Sequence, residues 1–207
     1  MLGVEERKMK EKKIEKIVRE LLETLEIPYP EETPRAVAKM YLDLLRGYGR
    51  MDIKRTFPIC FPAPARKQII RIENIRFYTF CAHHMLPFLG FVHVAYVPDK
   101  KVIGLSKPAR VVDHFSKRLQ MQETLTQQVL DTLFEIIEPV AIVVETEAVH
   151  LCSVMRGIRT PDEVVRVRAE KVDEEKYYEA DDHTRNLVKD LLKLAFKDKP
   201  TMPFLRR

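Results

Sequence analysis

The spacing of apolar residues changes repeatedly along this chain, and these changes limit its fold more than any other feature. Apolar side chains recur every three or four positions between residues 14 and 45, which predicts two amphipathic helices. Residues 69–80 and 90–97 instead alternate between apolar and polar side chains, as strands with one buried face do. The helical period returns over residues 107–138, and Pro139 ends it.

The second half of the chain repeats this change of period. Residues 141–152 and 164–172 predict two further strands, and residues 184–196 predict a last helix. Helices that are segregated from a mostly antiparallel sheet define an α+β fold, in which we expect the helices on one face of the sheet. A sheet of about four strands has two open edges, which gives the chain a physical reason to associate with other copies.

Composition indicates a folded protein and says little about its partners. Hydrophobic residues make up 45% of the 207 residues, which is enough for a core. Residues 1–13 contain no apolar stretch of the kind found in signal peptides, so we expect a cytoplasmic protein. The net charge of +5 is spread along the chain and no apolar run could cross a bilayer, so we expect neither nucleic acid nor membrane as a partner.

A proline-rich segment at residues 57–65 separates the helical pattern of the N-terminal quarter from the first strand pattern. We therefore predict an N-terminal helical region over residues 1–56 and a second region over residues 57–207. The length of the chain suggests that the two regions form one compact unit overall.

Two segments far apart in the sequence carry residue types that bind transition metals. Cys81, His83 and His84 directly follow a predicted strand, and His150 and Cys152 lie near the end of another, where residues two apart face the same side. Two thiolates with up to three imidazoles suit zinc. Three protein ligands and a water would make a catalytic centre, and four would make a closed structural one. The alternative is that all five are ordinary core residues.

Basic side chains follow these segments closely. Ser106, Lys107 and Arg110 stand at a predicted helix start, where they and backbone N–H groups could bind an anion. Arg156 follows the second metal-binding segment, so a polyanion could extend from the metal to these groups, although basic residues more often form a solvated surface. Glu123 on its own indicates only the negative charge that is common in the first turn of a helix.

The segments that contain these residues resemble the signature blocks of GTP cyclohydrolase I. The resemblance covers about residues 12–195. It is carried by FCAHHMLPF, HVAYVPDKKVIGLSKPARVVDHFSKRLQMQETLTQQ, EAVHLCSVMRGIR, TPRAVAKMYLDLLRGY and HTRNLVKDLL. It implies a tunnelling fold (T-fold), in which antiparallel sheets from several subunits join into a barrel with the helices outside. It also implies a homodecamer of two stacked pentamers.

The resemblance further implies a zinc-dependent hydrolase that converts GTP and water into 7,8-dihydroneopterin triphosphate and formate. Zinc-activated water would attack purine C8, and ring opening and ribose rearrangement would follow, at sites between subunits. Residue by residue, it assigns zinc to Cys81, His84 and Cys152, catalysis to His83 and His150, the triphosphate to Ser106, Lys107, Arg110 and Arg156, and the guanine base to Gln122 and Glu123.

One position beside the metal-binding residues departs from the family pattern, because Ala82 stands where the family usually has Glu. Two alternatives to the enzyme therefore remain open. One is a zinc-stabilised oligomer that binds purine nucleotides without turning them over. The other is a sister T-fold enzyme with a different purine or pterin substrate.

Overall fold

The computed structural model describes residues 3–48, 60–157, 159 and 163–194. The chain divides into two compact units, residues 1–50 and 51–207. The boundary predicted after residue 56 lies outside the described residues and stays a prediction.

The first unit is a pair of helices, α1 (Val4–Thr24) and α2 (Thr33–Leu44), followed by a 3-10 turn over Arg46–Tyr48. The two helices pack against each other, and Arg35 Nε of α2 lies 3.4 Å from Glu11 Oε1 of α1. Both helices predicted from the apolar spacing are confirmed.

The second unit is built on a five-stranded sheet with the strand order β5-β2-β3-β6-β7. Its members are β2 (Ile70–Cys81), β3 (Pro87–Val97), β5 (Leu119–Gln120), β6 (Ala141–His150) and β7 (Val165–Val172). The four long strands are antiparallel, and the two-residue β5 runs parallel to the end of β2. A separate antiparallel pair consists of β1 (Cys60–Pro62) and β4 (Lys101–Ile103).

Within the described parts of the second unit, five helices accompany the sheet. They are α3 (Ser106–Ser116), α4 (Gln122–Ile137), α5 (Leu151–Val154), α6 (Glu174–Glu179) and α7 (Asp182–Lys193). The continuous helical period over residues 107–138 is therefore divided between α3 and α4, with β5 in the interruption. The predicted last helix is confirmed to Lys193, and its expected end at residue 196 lies outside the described residues.

The main core lies between one face of the sheet and the helices α3 and α4. Val92, Val94 and Tyr96 of β3 point into it together with Leu125 and Leu133 of α4, and all five are buried. This arrangement gives the α+β fold with the two long helices on one face, as predicted.

The final helix lies on the opposite face, which the apolar pattern did not indicate. Ala95 and Val143 from the middle of the sheet form a second, smaller core with Val188 and Leu191 of α7. Both faces of β3 are apolar at this end, so a helix on one side alone would have left the other side in water.

Two neighbouring strands approach unusually closely at Gly90 of β3. A Cβ atom on Gly90 would lie 1.8 Å from the carbonyl oxygen of Glu147 in β6. Only a residue without a side chain fits here. This close approach fixes the pairing of β3 with β6 near the end of the sheet, two residues from Phe88, which pairs with His150.

Within the ranges that the structure describes, none of the helices combines the length and the apolar character needed to span a bilayer.

Candidate metal centre and adjoining cavity

A tight connection from β2 to β3 places Cys81 and His84 side by side. The Cys81 backbone N–H donates to the Leu86 carbonyl at 2.8 Å, and the Met85 N–H donates to the Cys81 carbonyl at 2.9 Å. Met85 adopts a φ of 52°, in the left-handed region, which lets the chain reverse within a few residues. The connection therefore folds back over the end of β2.

The second metal-binding segment differs from the sequence prediction. β6 ends at His150, and Cys152 lies in the short helix α5, so the strand expected through residue 152 is wrong at its last two positions. The backbone leaves the extended conformation after His150, which is the N-cap of α5. The rule that residues two apart in a strand face the same side therefore does not apply to His150 and Cys152. These two residues instead stand on either side of the junction between β6 and α5.

Strand order explains why the two segments meet. Phe80 of β2 pairs with Pro87 of β3, and the next residue of β3, Phe88, pairs with His150 of β6. The end of β2 and the end of β6 therefore flank the beginning of β3 on either side. Side chains that follow these two ends come together at one edge of the sheet.

We refer to Cys81, His84 and Cys152 as the thiol–imidazole cluster. Their candidate ligand atoms all lie within 4.8 Å of one another, a spacing that could hold one metal ion. The two cysteines are half-buried and His84 is exposed. Two sulfurs and one imidazole nitrogen form a donor set that favours a borderline-soft transition metal over Mg²⁺ or Ca²⁺.

Loss of hydration and neighbouring ionisable groups shift the pKa values of two members of the cluster. Burial, followed by the neighbouring Cys81, raises the pKa of the Cys152 thiol. Loss of hydration, then His83 and then Arg156, lower the pKa of His84. The imidazole is thus held neutral, as a metal ligand must be, whereas the thiol needs a cation beside it to ionise readily.

His150 lies beside the cluster in a different environment. Its ring stacks on Phe88 with centroids 4.4 Å apart and planes at 5°, and its Nε2 lies 2.8 Å from Gln122 Oε1. Burial lowers the pKa of His150, while Glu123 and Glu163 oppose that shift. The ring is therefore neutral near physiological pH and fixed in orientation.

A cavity of about 480 Å³ opens next to the cluster, lined by residues 81–83, residues 120–123 and His150. This volume is in the range of pockets that bind small organic ligands. It brings together five predicted site residues from three segments, namely Cys81, His83, Gln122, Glu123 and His150. Ala82 also faces the cavity, and its N–H donates to the Gln120 carbonyl at 2.9 Å.

The predicted anion-binding residues divide into two groups. Arg156 is close enough to the cluster to influence the pKa of His84. Ser106, Lys107 and Arg110 do not line the cavity and lie at the start of α3. The end of α3 is the part near the cluster, because the Thr79 hydroxyl donates to the Arg118 carbonyl at 3.0 Å and β5 then pairs with Cys81.

A helix of the length of α3 spans about 16 Å. The first residue of α3 therefore lies up to about 16 Å along the helix axis from the end that adjoins the cluster, and Ser106, Lys107 and Arg110 of this chain do not line the cavity.

Sequence reasoning missed Phe88, Thr126 and Thr146, which surround Gln122 and His150. Thr126 and Thr146 are fully buried at otherwise apolar positions of α4 and β6. A threonine among buried apolar residues needs hydrogen-bond partners, so these two threonines could have indicated a buried polar network from the sequence.

Comparison with known proteins shows which family this chain resembles. Residues 10–192 match the family model described as GTP cyclohydrolase I. The chain is 46% identical over 154 residues to "GTP cyclohydrolase 1" of Caldanaerobacter subterraneus subsp. tengcongensis, which covers 72% of this chain and 81% of the relative. It is 45% identical over 164 residues to the protein of that name from Hyperthermus butylicus, with 76% and 82% covered.

Among solved structures, an archaeosine synthase QueF-like protein in the apo form matches with a TM-score of 0.43 and 20% identity. The match covers 53% of this chain and 95% of the other, and it is too distant to support an inference. The family match covers most of the chain and includes every residue of the cluster and the cavity. The chain therefore belongs to the GTP cyclohydrolase I family and is an enzyme with the T-fold of that family.

Proposed function

We propose that this protein is a zinc-dependent GTP cyclohydrolase I, which converts GTP and water into 7,8-dihydroneopterin triphosphate and formate. The single observation that carries the proposal is the thiol–imidazole cluster beside a cavity that also contains His83, His150 and Glu123. A metal-binding group, two further imidazoles and one carboxylate are the parts that opening a purine ring requires.

Zinc fits the donor set of Cys81, His84 and Cys152, because two thiolates and one imidazole are common zinc ligands. A bound zinc supplies Lewis acidity that makes water a nucleophile near neutral pH. We infer that purine C8, the carbon that leaves as formate, is positioned at this end of the cavity.

The two remaining imidazoles supply proton transfer. One protonates purine N7 and makes C8 more electrophilic, and the other moves protons as the ring opens and formate leaves. His83 and His150 both line the cavity, so both can reach a substrate that lies in it. Rearrangement of the opened ribose and closure of the pterin ring need further proton shuttles at the same positions.

Glu123 is proposed to read the guanine base. A carboxylate can accept hydrogen bonds from guanine N1–H and from the 2-amino group. Adenine lacks both donors and would leave the carboxylate without partners, and a site of this kind can reject an analogue by about 10⁴-fold.

The triphosphate needs cations that one chain does not provide at the cavity. Arg156 lies close to the cluster of the same chain, whereas Ser106, Lys107 and Arg110 of that chain do not line the cavity. We propose that Ser106, Lys107 and Arg110 of a second copy complete the site within a homo-oligomer, which the family resemblance makes a decamer.

Metal analysis and turnover on the same sample test the proposal. We expect about one zinc per chain and, with GTP, release of formate and a pterin that becomes fluorescent after oxidation. The Cys152→Ala variant should lose both the metal and turnover. A preparation with full metal content that yields neither formate nor pterin would contradict the enzyme assignment and favour a nucleotide-binding protein.

A further inference from the structure

The side chain of Gln122 is buried at the start of α4, and its orientation is fixed by two strands. Gln122 Nε2 lies 3.1 Å from the Thr146 carbonyl oxygen in β6 and 3.0 Å from the Val165 carbonyl oxygen in β7. Carbonyl oxygens only accept hydrogen bonds, so this end of the carboxamide must be the NH₂ group. The opposite end, Oε1, therefore faces His150 Nε2 at 2.8 Å.

This orientation determines which nitrogen of His150 carries hydrogen. An amide oxygen can only accept, so His150 Nε2 must be the donor. A neutral imidazole has one N–H, which leaves Nδ1 as the nitrogen that can accept a proton. The stacked ring of Phe88 fixes the plane of the imidazole, so the direction of the Nδ1 lone pair is fixed as well.

Two buried hydroxyls complete the network around the carboxamide. Thr146 Oγ1 accepts from Gln122 Nε2 at 3.0 Å and lies 2.8 Å from Thr126 Oγ1, which donates to the Gln122 backbone carbonyl at 2.8 Å. Among the described residues, no buried side-chain nitrogen or oxygen lacks a partner. A buried network in which every member is satisfied is rigid, and rotating the carboxamide would leave two carbonyls and one imidazole unpaired.

We propose that Gln122 is a positioning residue, which holds His150 as the Nε2–H tautomer, and not the contact to the guanine base that its place in the motif suggests. Its effect on catalysis rests on the function proposed above, in which His150 transfers protons. Thr146 and Thr126 act one step further away, by fixing the carboxamide.

The test is the tautomer of His150 in the metal-loaded protein with ¹⁵N-labelled histidine, measured by solid-state NMR at mildly alkaline pH. The signal is assigned by its loss in His150→Ala. We expect protonated Nε2 in the wild type and a mixture of both tautomers in Gln122→Met, which keeps the length of the side chain and removes the acceptor. Gln127→Met, an exposed position on the same helix, is the matched control and should leave the spectrum unchanged.

Kinetics separate positioning from base contact. In Gln122→Met we expect kcat to fall by about 10–100-fold, the size typical of removing a group that orients a ligand or catalyst. KM for GTP should change by less than about threefold, and the preference for GTP over ITP should persist, because no contact to the substrate is lost. Thr146→Val, which keeps the carbonyl, should have a smaller effect in the same direction.

Two results would overturn the proposal. One is a wild-type His150 that carries its hydrogen on Nδ1. The other is a Gln122→Met variant with an unchanged tautomer, a raised KM and a lost guanine preference. If the tautomer responds as expected but no variant or wild type turns over GTP, the positioning role stands and the proposed function fails.

Discussion

Glu123 illustrates how strongly the role of one residue depends on its surroundings. It lies exposed in the first turn of α4, which is an ordinary place for a carboxylate. The same turn lines the cavity beside the thiol–imidazole cluster. A carboxylate that faces a cavity of nucleoside size is a candidate for base recognition, which its place in a helix alone does not indicate.

Replacing Glu123 with Gln should weaken selection for guanine. ITP keeps the N1–H of GTP and lacks the 2-amino group, so it removes one hydrogen bond to a charged acceptor, worth about 1.5–3 kcal/mol. We expect the wild type to prefer GTP over ITP by kcat/KM and Glu123→Gln to lose most of that preference. Glu135→Gln makes the same charge change at an exposed position of α4 and should leave the ratio intact. An unchanged ratio in Glu123→Gln would exclude base recognition by this residue.

A side chain at Gly90 would collide with the backbone of the neighbouring strand. The Cβ of Gly90→Ala would meet the Glu147 carbonyl oxygen at 1.8 Å and the Ala148 Cα at 2.8 Å, so two strands must move apart. We expect a loss of about 1–3 kcal/mol or more in the free energy of unfolding, measured with denaturant. Gly104→Ala is the control, because its Cβ would make only ordinary contacts at 3.8 Å and 4.0 Å. Equal stability of the two variants would contradict the close approach.

At the scale of elements, α7 depends on a cap at its first turn. Asp181 accepts a hydrogen bond from the Thr184 backbone N–H at 2.7 Å. The hydrogen bond from the Thr184 side chain, together with this one from its backbone N–H, lowers the pKa of Asp181 below the value near 3.8 that the unfolded chain has. The stabilisation is therefore complete above that value and disappears as pH falls through the lower pKa of the folded state.

Asp181→Ala should lower Tm by a few degrees at neutral pH, and Asp181→Asn should keep most of the stability because Asn also caps helices. The difference in Tm between wild type and Asp181→Ala should shrink as pH falls below 4 or so, when Asp181 takes up a proton. Thermal unfolding followed by circular dichroism across this pH range measures both effects. A difference that is constant with pH would rule out the ionised cap.

Elements with several periods were predictable from the sequence, and the shortest ones were not. β2, β3, α4 and β7 each repeat their pattern long enough to define a period. β5 has two residues and α5 has four, so neither shows a period of its own, and the alternating pattern of β6 wrongly predicts a strand that continues through Cys152.

Within the site, some features could likewise be predicted from the sequence and others could not. Cys81, His84 and Cys152 have unusual chemistry and stand out by residue type, and the structure brings them together. The contact between Gln122 and His150 joins two segments through a strand order that the sequence does not display, so spacing could not reveal it.

At the scale of the whole molecule, the predicted phosphate-binding residues in the first half of α3 do not line the cavity. We propose that a site that uses both combines residues from two copies of the chain. Symmetric oligomers build such sites by repeating one contact between neighbours.

Mixed oligomers test this arrangement. Cys152→Ala removes part of the cluster and Lys107→Ala removes a proposed phosphate contact, so we expect each variant alone to be nearly inactive. When both are co-expressed, random assembly should restore about a quarter of the wild-type activity, because some sites draw both intact residues from different copies. Co-expression of Cys152→Ala with His150→Ala should restore nothing, since both residues belong to the same half-site. Failure to recover activity with Lys107→Ala would place the whole site within one chain.

The edge strand β7 affects the tendency of newly synthesised chains to aggregate. In the portion of the protein that the structure describes, β7 pairs with β6 and with no other strand. The other edge of β7 therefore presents backbone N–H and C=O groups with which a strand of another molecule can pair. If chains are synthesised faster than they associate with other copies of this protein, their exposed strand edges pair non-specifically and the chains aggregate irreversibly. The charged side chains along β7 (Arg166, Arg168 and Glu170) oppose non-specific strand pairing and so allow time for specific association with other copies of the chain.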